Sequence, residues 1–100
     1  MHLYARQGDL VIDRLEKIEG ELSPAQRIVF VGDSSGHPHV LEAKCKMRRD
    51  GRRVFVSLSQ ASEIVHKRAG GHKPVTLKKG NYLVRPLREG GDGSDRAVED

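Results

Sequence analysis

The sequence has no tryptophan, a single cysteine and only four aromatic residues among its 100 residues. The one cysteine, Cys45, excludes an intramolecular disulfide and argues against a disulfide-stapled secreted domain. No run approaches the roughly 18 apolar residues that a membrane-spanning helix needs. The first nine residues also lack the apolar core of a secretory signal. We therefore expect one small cytoplasmic domain, with the modest core that 36% hydrophobic residues can build.

The charge is unevenly distributed along the chain. Residues 1–43 hold four Lys or Arg against seven Asp or Glu, whereas residues 44–88 hold thirteen against two. Residues 89–100 hold one against five. Such asymmetry bears on partners rather than on fold. Because the last residues have almost nothing to bury, we predict a domain over 1–89 and a disordered acidic tail over 90–100.

Strand signals dominate the hydrophobic pattern. Leu10–Leu15 and Arg27–Val31 are short β-branched runs, and the polar residues 16–26 between them are predicted to form a loop. From His39 to Met47 the odd positions after His39 are apolar, and the even positions after Val40 are charged. This alternation is typical of a strand with one buried face and one wet face.

Tight turns complete the predicted architecture. Asp50-Gly51 supplies a two-residue turn that connects the two strands of a hairpin. Residues 60–69 fit either a helical turn or a short strand. Val75–Lys78 and Asn81–Leu87 suggest a second hairpin around Lys79-Gly80. The pattern predicts an all-β, mainly antiparallel fold, a small barrel or sandwich of about six short strands.

Histidines are the first candidates for a site. In an extended chain His37 and His39 point to the same face, roughly 6–7 Å apart. That spacing lets two imidazoles converge on zinc or another borderline divalent ion, with a carboxylate such as Glu42 as a further ligand. We predict a metal or polar-ligand site formed by His37, His39, His66 and His72. The simpler interpretation is that His-Pro-His is a solvated loop.

Motifs for catalysis are absent. The sequence has no phosphate-binding glycine loop with its lysine, no CxxC pair and no HExxH. The Ser-rich segment 32–36 has no base in a matching context. A small metal-dependent enzyme would need a general base, for which Glu42 is the candidate. We therefore expect a non-catalytic binding module and keep the enzyme as a further alternative.

A basic surface supports a second function, the binding of nucleic acid or another polyanion. Its candidate residues are Lys44, Lys46, Arg48, Arg49, Arg52 and Arg53. A ridge of this kind binds phosphates and releases counterions, although four aromatic residues leave few for base stacking. The commoner alternative is a solvated charged face that protects a sheet. Nucleic acid, another protein and a second copy of the chain all remain open as partners.

Three segments carry a resemblance to known sequences: Gln7-Gly8-Asp9, the stretch Gly32–His39, and the block His72–Glu89 with its Gly80 and Tyr82. Together they resemble a group of small, uncharacterised bacterial and phage-associated proteins. The resemblance spans residues 7–89 and implies a real β-rich domain of that extent. It brings no activity, substrate or cofactor with it. It does place three of the candidate histidines within the shared pattern.

Overall fold

A computed structural model describes residues 2–30, 38–66 and 73–87 of the chain. These residues form eight antiparallel strands and no helix, which confirms the all-β prediction. The strands are β1 (His2–Gln7), β2 (Leu10–Leu15), β3 (Ser23–Phe30), β4 (His39–Asp50), β5 (Arg53–Leu58), β6 (Ser62–His66), β7 (Val75–Leu77) and β8 (Gly80–Pro86). The predicted tail at 90–100 lies outside the described residues. None of the described residues belongs to a helix that could cross a membrane.

The strands form one sheet in the order β1-β2-β8-β5-β4-β6-β7, with β3 also paired to β4. The long strand β4 organises it. Its second half pairs with β5, its first three residues pair with β6, and β3 runs along its opposite edge. Thus β5 and β6 occupy successive stretches of one edge of β4. In the same way β8 pairs with β5 and β7 pairs with β6.

The single sheet is nearly closed into a barrel, with β1 and β7 as its two ends. Across the remaining gap, the Tyr4 hydroxyl on β1 donates to the Thr76 carbonyl on β7 at 3.3 Å. Inside, the residues that the structure describes form a single apolar cluster, contributed by alternate residues of the strands. Its fully buried members are Leu10, Ile12, Ile28, Phe30, Leu41, Val54, Val56, Leu58, Ile64, Leu77, Tyr82 and Val84.

Glycine is the first residue of the turn in two of the hairpins. Gly8 (φ 61°) and Gly51 (φ 64°) occupy the first central position of two-residue turns, where a type II′ turn needs positive φ. The β4–β5 turn consists of Gly51-Arg52, closed by the pairing of Asp50 with Arg53. It therefore lies one residue later than the predicted Asp50-Gly51. The β1–β2 hairpin at Gly8 was not predicted.

The predicted loop at 16–26 is too long, because β3 already begins at Ser23. Pro24, together with the polar character of residues 16–26, led to the prediction of a loop. In the described part of the chain β3 pairs only with β4, so it is an edge strand, where proline is tolerated. The ambiguous stretch 60–69 contains strand β6 rather than a helical turn as far as His66, the last of its residues that the structure describes.

The predicted hairpin around Lys79-Gly80 is wrong. The strands on either side, β7 and β8, do not pair with each other. Instead, β7 pairs with β6 and β8 pairs with β5. Gly80 (φ 151°) lies at the bend between them, and a Cβ there would come within 2.7 Å of the Arg14 guanidinium. Nearby, Tyr82 donates its hydroxyl hydrogen to the Lys78 carbonyl at 2.6 Å. Burial is the main reason that the pKa of Tyr82 is raised.

Candidate functional site

Three polar side chains are buried at one end of the apolar core. Gln7 ends β1, His39 begins β4 and His66 ends β6, and their exposed fractions are 2%, 0% and 7%. The histidines follow the inward alternation of their strands, two residues from Leu41 and Ile64 respectively. The β4–β6 register pairs His39 directly with His66.

Gln7 is held in one orientation by the backbone. Its amide nitrogen donates to the carbonyls of Ile64 and Lys73, both at 2.9 Å. The amide oxygen therefore faces His39, and it lies 2.8 Å from Nδ1 of that ring. Because an amide oxygen only accepts, Nδ1 must carry the proton and donate it. The neutral His39 ring then has its lone pair on Nε2.

The Nε2 atom of His39 is turned toward a carboxylate. It lies 3.7 Å from Oδ1 of Asp9, the second residue of the β1–β2 turn. The turn is fixed from the other side, since the Leu87 amide donates to the Asp9 carbonyl at 2.9 Å. A lone pair beside a carboxylate is a pair of donors suited to a divalent ion. If the ring is protonated, the same atoms form an ion pair instead.

His66 contacts His39 face to face. Their ring centroids are 4.2 Å apart and their planes differ by 2°. Imidazole lone pairs lie in the ring plane, so two parallel stacked rings do not aim at one common ion. In this arrangement His66 packs against the His39 ring and does not act as a second ligand.

The four predicted histidines thus have different outcomes. His39 and His66 meet in space, while His37 and His72 lie outside the described residues. Glu42, the candidate carboxylate ligand or base, is on the opposite, exposed face of β4, 4.0 Å from Arg27. The structure therefore separates Glu42 from the histidines. Among the described residues no group of three or more His, Cys, Asp or Glu side chains is placed to hold a metal ion.

Cys45 also belongs to the core rather than to the site. It is free, partly buried and packed against the apolar cluster. Burial raises the pKa of its thiol, which disfavours the reactive thiolate.

The predicted basic residues divide between two places. Lys44 and Lys46 are exposed on the outer face of β4. On the same face the Arg48 guanidinium lies over Phe55, 4.7 Å from the ring centroid, and it donates to the Glu19 carbonyl. These three form the outer ridge.

The remaining three basic residues are near the β4–β5 turn. Arg53 is exposed at the start of β5, on the same outer face as Arg48, because Val54 and Val56 face inward. Arg49 donates to the Val29 carbonyl at 3.1 Å. Together with Arg52 it lines a cleft whose deeper side includes Leu10, Phe30 and Val54. Four of the six predicted residues therefore share the outer face of β4 and β5, and Arg49 and Arg52 line the cleft.

Sequence reasoning missed Gln7 and Asp9. Gln7 precedes the Gly8-Asp9 turn, and Asp9 is its second residue. A two-residue Gly-X turn after the short segment His2–Gln7 could have predicted that hairpin. It would then have placed Asp9 at a barrel end. No sequence signal indicated that Gln7 would be buried against His39, because that contact depends on the pairing of distant strands.

A model of a protein family, described as Domain of unknown function (DUF8820), matches residues 6–86. The chain belongs to this family. The DUF8820 match includes Gln7, Asp9, His39 and His66, so the whole candidate site lies within the family's domain. The match agrees with the predicted resemblance to an uncharacterised small domain. No curated protein and no solved structure matches the chain.

Proposed function

We propose that this domain is a non-catalytic, cytoplasmic binding module that takes up a divalent metal ion such as zinc at His39. The ligands that the described residues supply are Nε2 of His39 and Oδ1 of Asp9. Water, or donor groups brought by a partner, complete the coordination. A site with two ligands from this part of the chain binds an exchangeable ion rather than a permanent structural one.

The observation that carries the proposal is the orientation of His39 by Gln7. Histidines that bind metals almost always donate their other ring N–H to an oxygen, which fixes the tautomer and aims the lone pair. Gln7 does this here, and its own amide is held by two backbone carbonyls. A buried polar network of this kind fixes one ring atom toward the barrel end.

The spacing of the two donors supports the same conclusion. With metal–ligand bonds of about 2.0–2.2 Å, two ligands of a tetrahedral ion lie about 3.4 Å apart. The His39 Nε2 and Asp9 Oδ1 atoms are 3.7 Å apart. A shift of a few tenths of an ångström would bring both into coordination distance, and Asp9 lies on a turn rather than within a strand.

Zinc titration by calorimetry tests the proposal. We expect the wild type to bind one ion, and zinc at about a hundred times its Kd should stabilise the fold by about 2.7 kcal/mol. His39→Gln should abolish binding and Asp9→Asn should weaken it about tenfold. The matched control is His2→Gln, because His2 is an exposed histidine on β1.

Thermal melts of each variant without zinc distinguish lost binding from lost folding. Binding that is absent in the folded wild type, or unchanged in folded His39→Gln, would contradict the metal site. Unchanged binding in Asp9→Asn would remove Asp9 from the coordination shell.

The outer ridge is the basis of a second candidate, polyanion binding. Lys44 and Lys46 are exposed neighbours on one strand face, and Arg48 is held beside them over an aromatic ring. If both lysines contact phosphates, Lys44→Gln combined with Lys46→Gln should reduce the slope of log affinity against log salt by about 2 for duplex DNA. Lys17→Gln, at another exposed lysine, is the control. A wild-type affinity that does not vary with salt would dismiss this function.

A further inference from the structure

One of the four aromatic side chains lies outside the barrel core. Phe30 and Tyr82 belong to the buried apolar cluster, and Tyr4 packs against it. Phe55 instead faces outward from β5, because the residues on either side of it in the strand face inward. It is partly exposed. The outer face of the β4–β5 hairpin therefore combines basic side chains with an aromatic ring.

The Phe55 ring carries an arginine. Arg48 and Phe55 are register partners across β4 and β5. The Arg48 guanidinium lies over the ring, 4.7 Å from its centroid, and donates to the Glu19 carbonyl. The ring beneath it and the hydrogen bond at its edge hold the charged group in one place. Arg48 is itself partly exposed, so its side away from Phe55 faces solvent.

An arginine held in this way is a stacking surface for a nucleic-acid base. Bases of single-stranded nucleic acids stack on guanidinium planes and on aromatic rings. A base on the solvent side of Arg48 would complete a layered arrangement of ring, guanidinium and base. Every base has a π face, so such a surface accepts any sequence. The bases of a duplex are already stacked on one another and cannot use it.

Two lysines beside this surface are placed to contact phosphates. Lys44 and Lys46 are exposed on the same face of β4 as Arg48. Alternate residues on one face of a strand are roughly 6–7 Å apart. That distance is similar to the separation of consecutive phosphates along one extended strand of nucleic acid. The outer ridge therefore offers a base surface and two cations in a row.

The acidic side chains that border the outer ridge do not cancel its charge. One lies on the same face of β4, and the other belongs to the residue whose carbonyl accepts from Arg48. Each has a cation of its own: Glu42 is 4.0 Å from Arg27, and Glu19 is 3.1 Å from Lys17. The three basic residues of the outer ridge therefore remain a positive surface.

We infer that the outer ridge binds single-stranded nucleic acid, with a base stacked on Arg48 and neighbouring phosphates on Lys44 and Lys46. The inference rests on the polyanion binding proposed above, and it specifies the ligand as an unpaired strand of DNA or RNA. Electrostatics alone would favour a duplex, because its charge density is higher. A preference for the single strand is therefore evidence of stacking.

Fluorescence anisotropy at low salt tests the inference with labelled oligomers of about eight nucleotides. The probes are a deoxyuridine oligomer, an abasic oligomer with the same number of phosphates, and a duplex of the same length. The deoxyuridine oligomer should bind at least about fivefold more tightly than the abasic one, the lower end of what one stacked base contributes. It should also bind more tightly than the duplex. A uridine oligomer distinguishes the sources, since tighter binding than deoxyuridine assigns the site to RNA and weaker binding assigns it to DNA.

Arg48→Lys separates stacking from charge, because it keeps the cation and removes the planar guanidinium. It should lower the ratio of deoxyuridine to abasic affinity to about two or less and leave the abasic affinity unchanged. Phe55→Leu should also lower this ratio, because it removes the ring that holds Arg48. Arg27→Lys, at an exposed arginine on β3, is the matched control and should leave the ratio unchanged. Melting temperatures show which variants are folded, and Arg48→Lys decides the result if Phe55→Leu is not.

Equal affinities for the deoxyuridine and abasic oligomers would overturn the inference and leave polyanion binding in place. An unchanged ratio in folded Arg48→Lys would also contradict it, and would limit Arg48 to covering Phe55 and holding the Glu19 carbonyl. If no probe binds even at low salt, the proposed polyanion binding fails together with the inference. None of these outcomes depends on whether zinc binds at His39.

Discussion

Replacing Gln7 by methionine should destabilise the domain by about 3 kcal/mol or more. The substitution keeps the length of the side chain but removes three hydrogen bonds, two to the carbonyls of Ile64 and Lys73 and one from His39. Each buried group left without a partner costs about 1–3 kcal/mol. A small domain has only about 5–15 kcal/mol of stability in total, so the loss is a large fraction of it. The loss is measured as the difference in the free energy of urea unfolding between Gln7→Met and the wild type.

Gln26→Met is the matched control, because Gln26 is exposed on β3. It should change the free energy of unfolding by no more than about 0.5 kcal/mol. Folded Gln7→Met should also bind zinc about 10–100-fold more weakly, as expected when the residue that orients a metal-binding histidine is lost. A destabilisation below about 1 kcal/mol would show that Gln7 does not organise this end of the barrel.

The second large effect is expected at the ion pair between Asp13 and Arg85. These side chains lie diagonally across β2 and β8, with Arg85 Nε 3.2 Å from Asp13 Oδ2, and both are buried. Replacing Arg85 by methionine leaves a buried carboxylate without this partner, which should cost about 3–5 kcal/mol. Removing both charges, by adding Asp13→Leu, should restore most of that stability or exceed it.

A double-mutant cycle in urea gives the coupling energy between the two residues. The control is Arg27→Met, which breaks the exposed pair with Glu42 and should cost at most about 1 kcal/mol. If Arg85→Met costs no more than Arg27→Met, the buried pair contributes no more than a surface one. A double variant as unstable as the single would show that Arg85 acts through packing rather than through its charge.

The parts of the fold that could be predicted from sequence are those with local causes. The alternation that follows Val40 fixes the inward face of β4, and Gly51 enforces the turn that follows it. The wrong hairpin at Lys79-Gly80 shows the limit of such reasoning. A lysine-glycine pair resembles a turn, but the neighbouring strands find their partners in β5 and β6, and glycine serves a bend beside Arg14 instead.

For the same reason, only part of the candidate site could be predicted from the sequence. Alternation placed His39 and Leu41 on one face, so burial of His39 could be deduced from the pattern. Its contact with His66 depends on the β4–β6 register, and its contact with Gln7 depends on the pairing of β1 with β2 and on the near closure of the barrel. Contacts between residues so distant in sequence leave no local signal in a single chain.

The most direct test of the proposed site is a long-range ¹H–¹⁵N NMR spectrum of the histidine rings, recorded at neutral pH with and without zinc. Without zinc, His39 should show a protonated Nδ1 and an unprotonated Nε2. Zinc should then move the His39 Nε2 signal to the range of a coordinated nitrogen and leave that of exposed His2 unchanged. A proton on Nε2 in the neutral ring, or a His39 spectrum that zinc does not alter, would contradict the proposal.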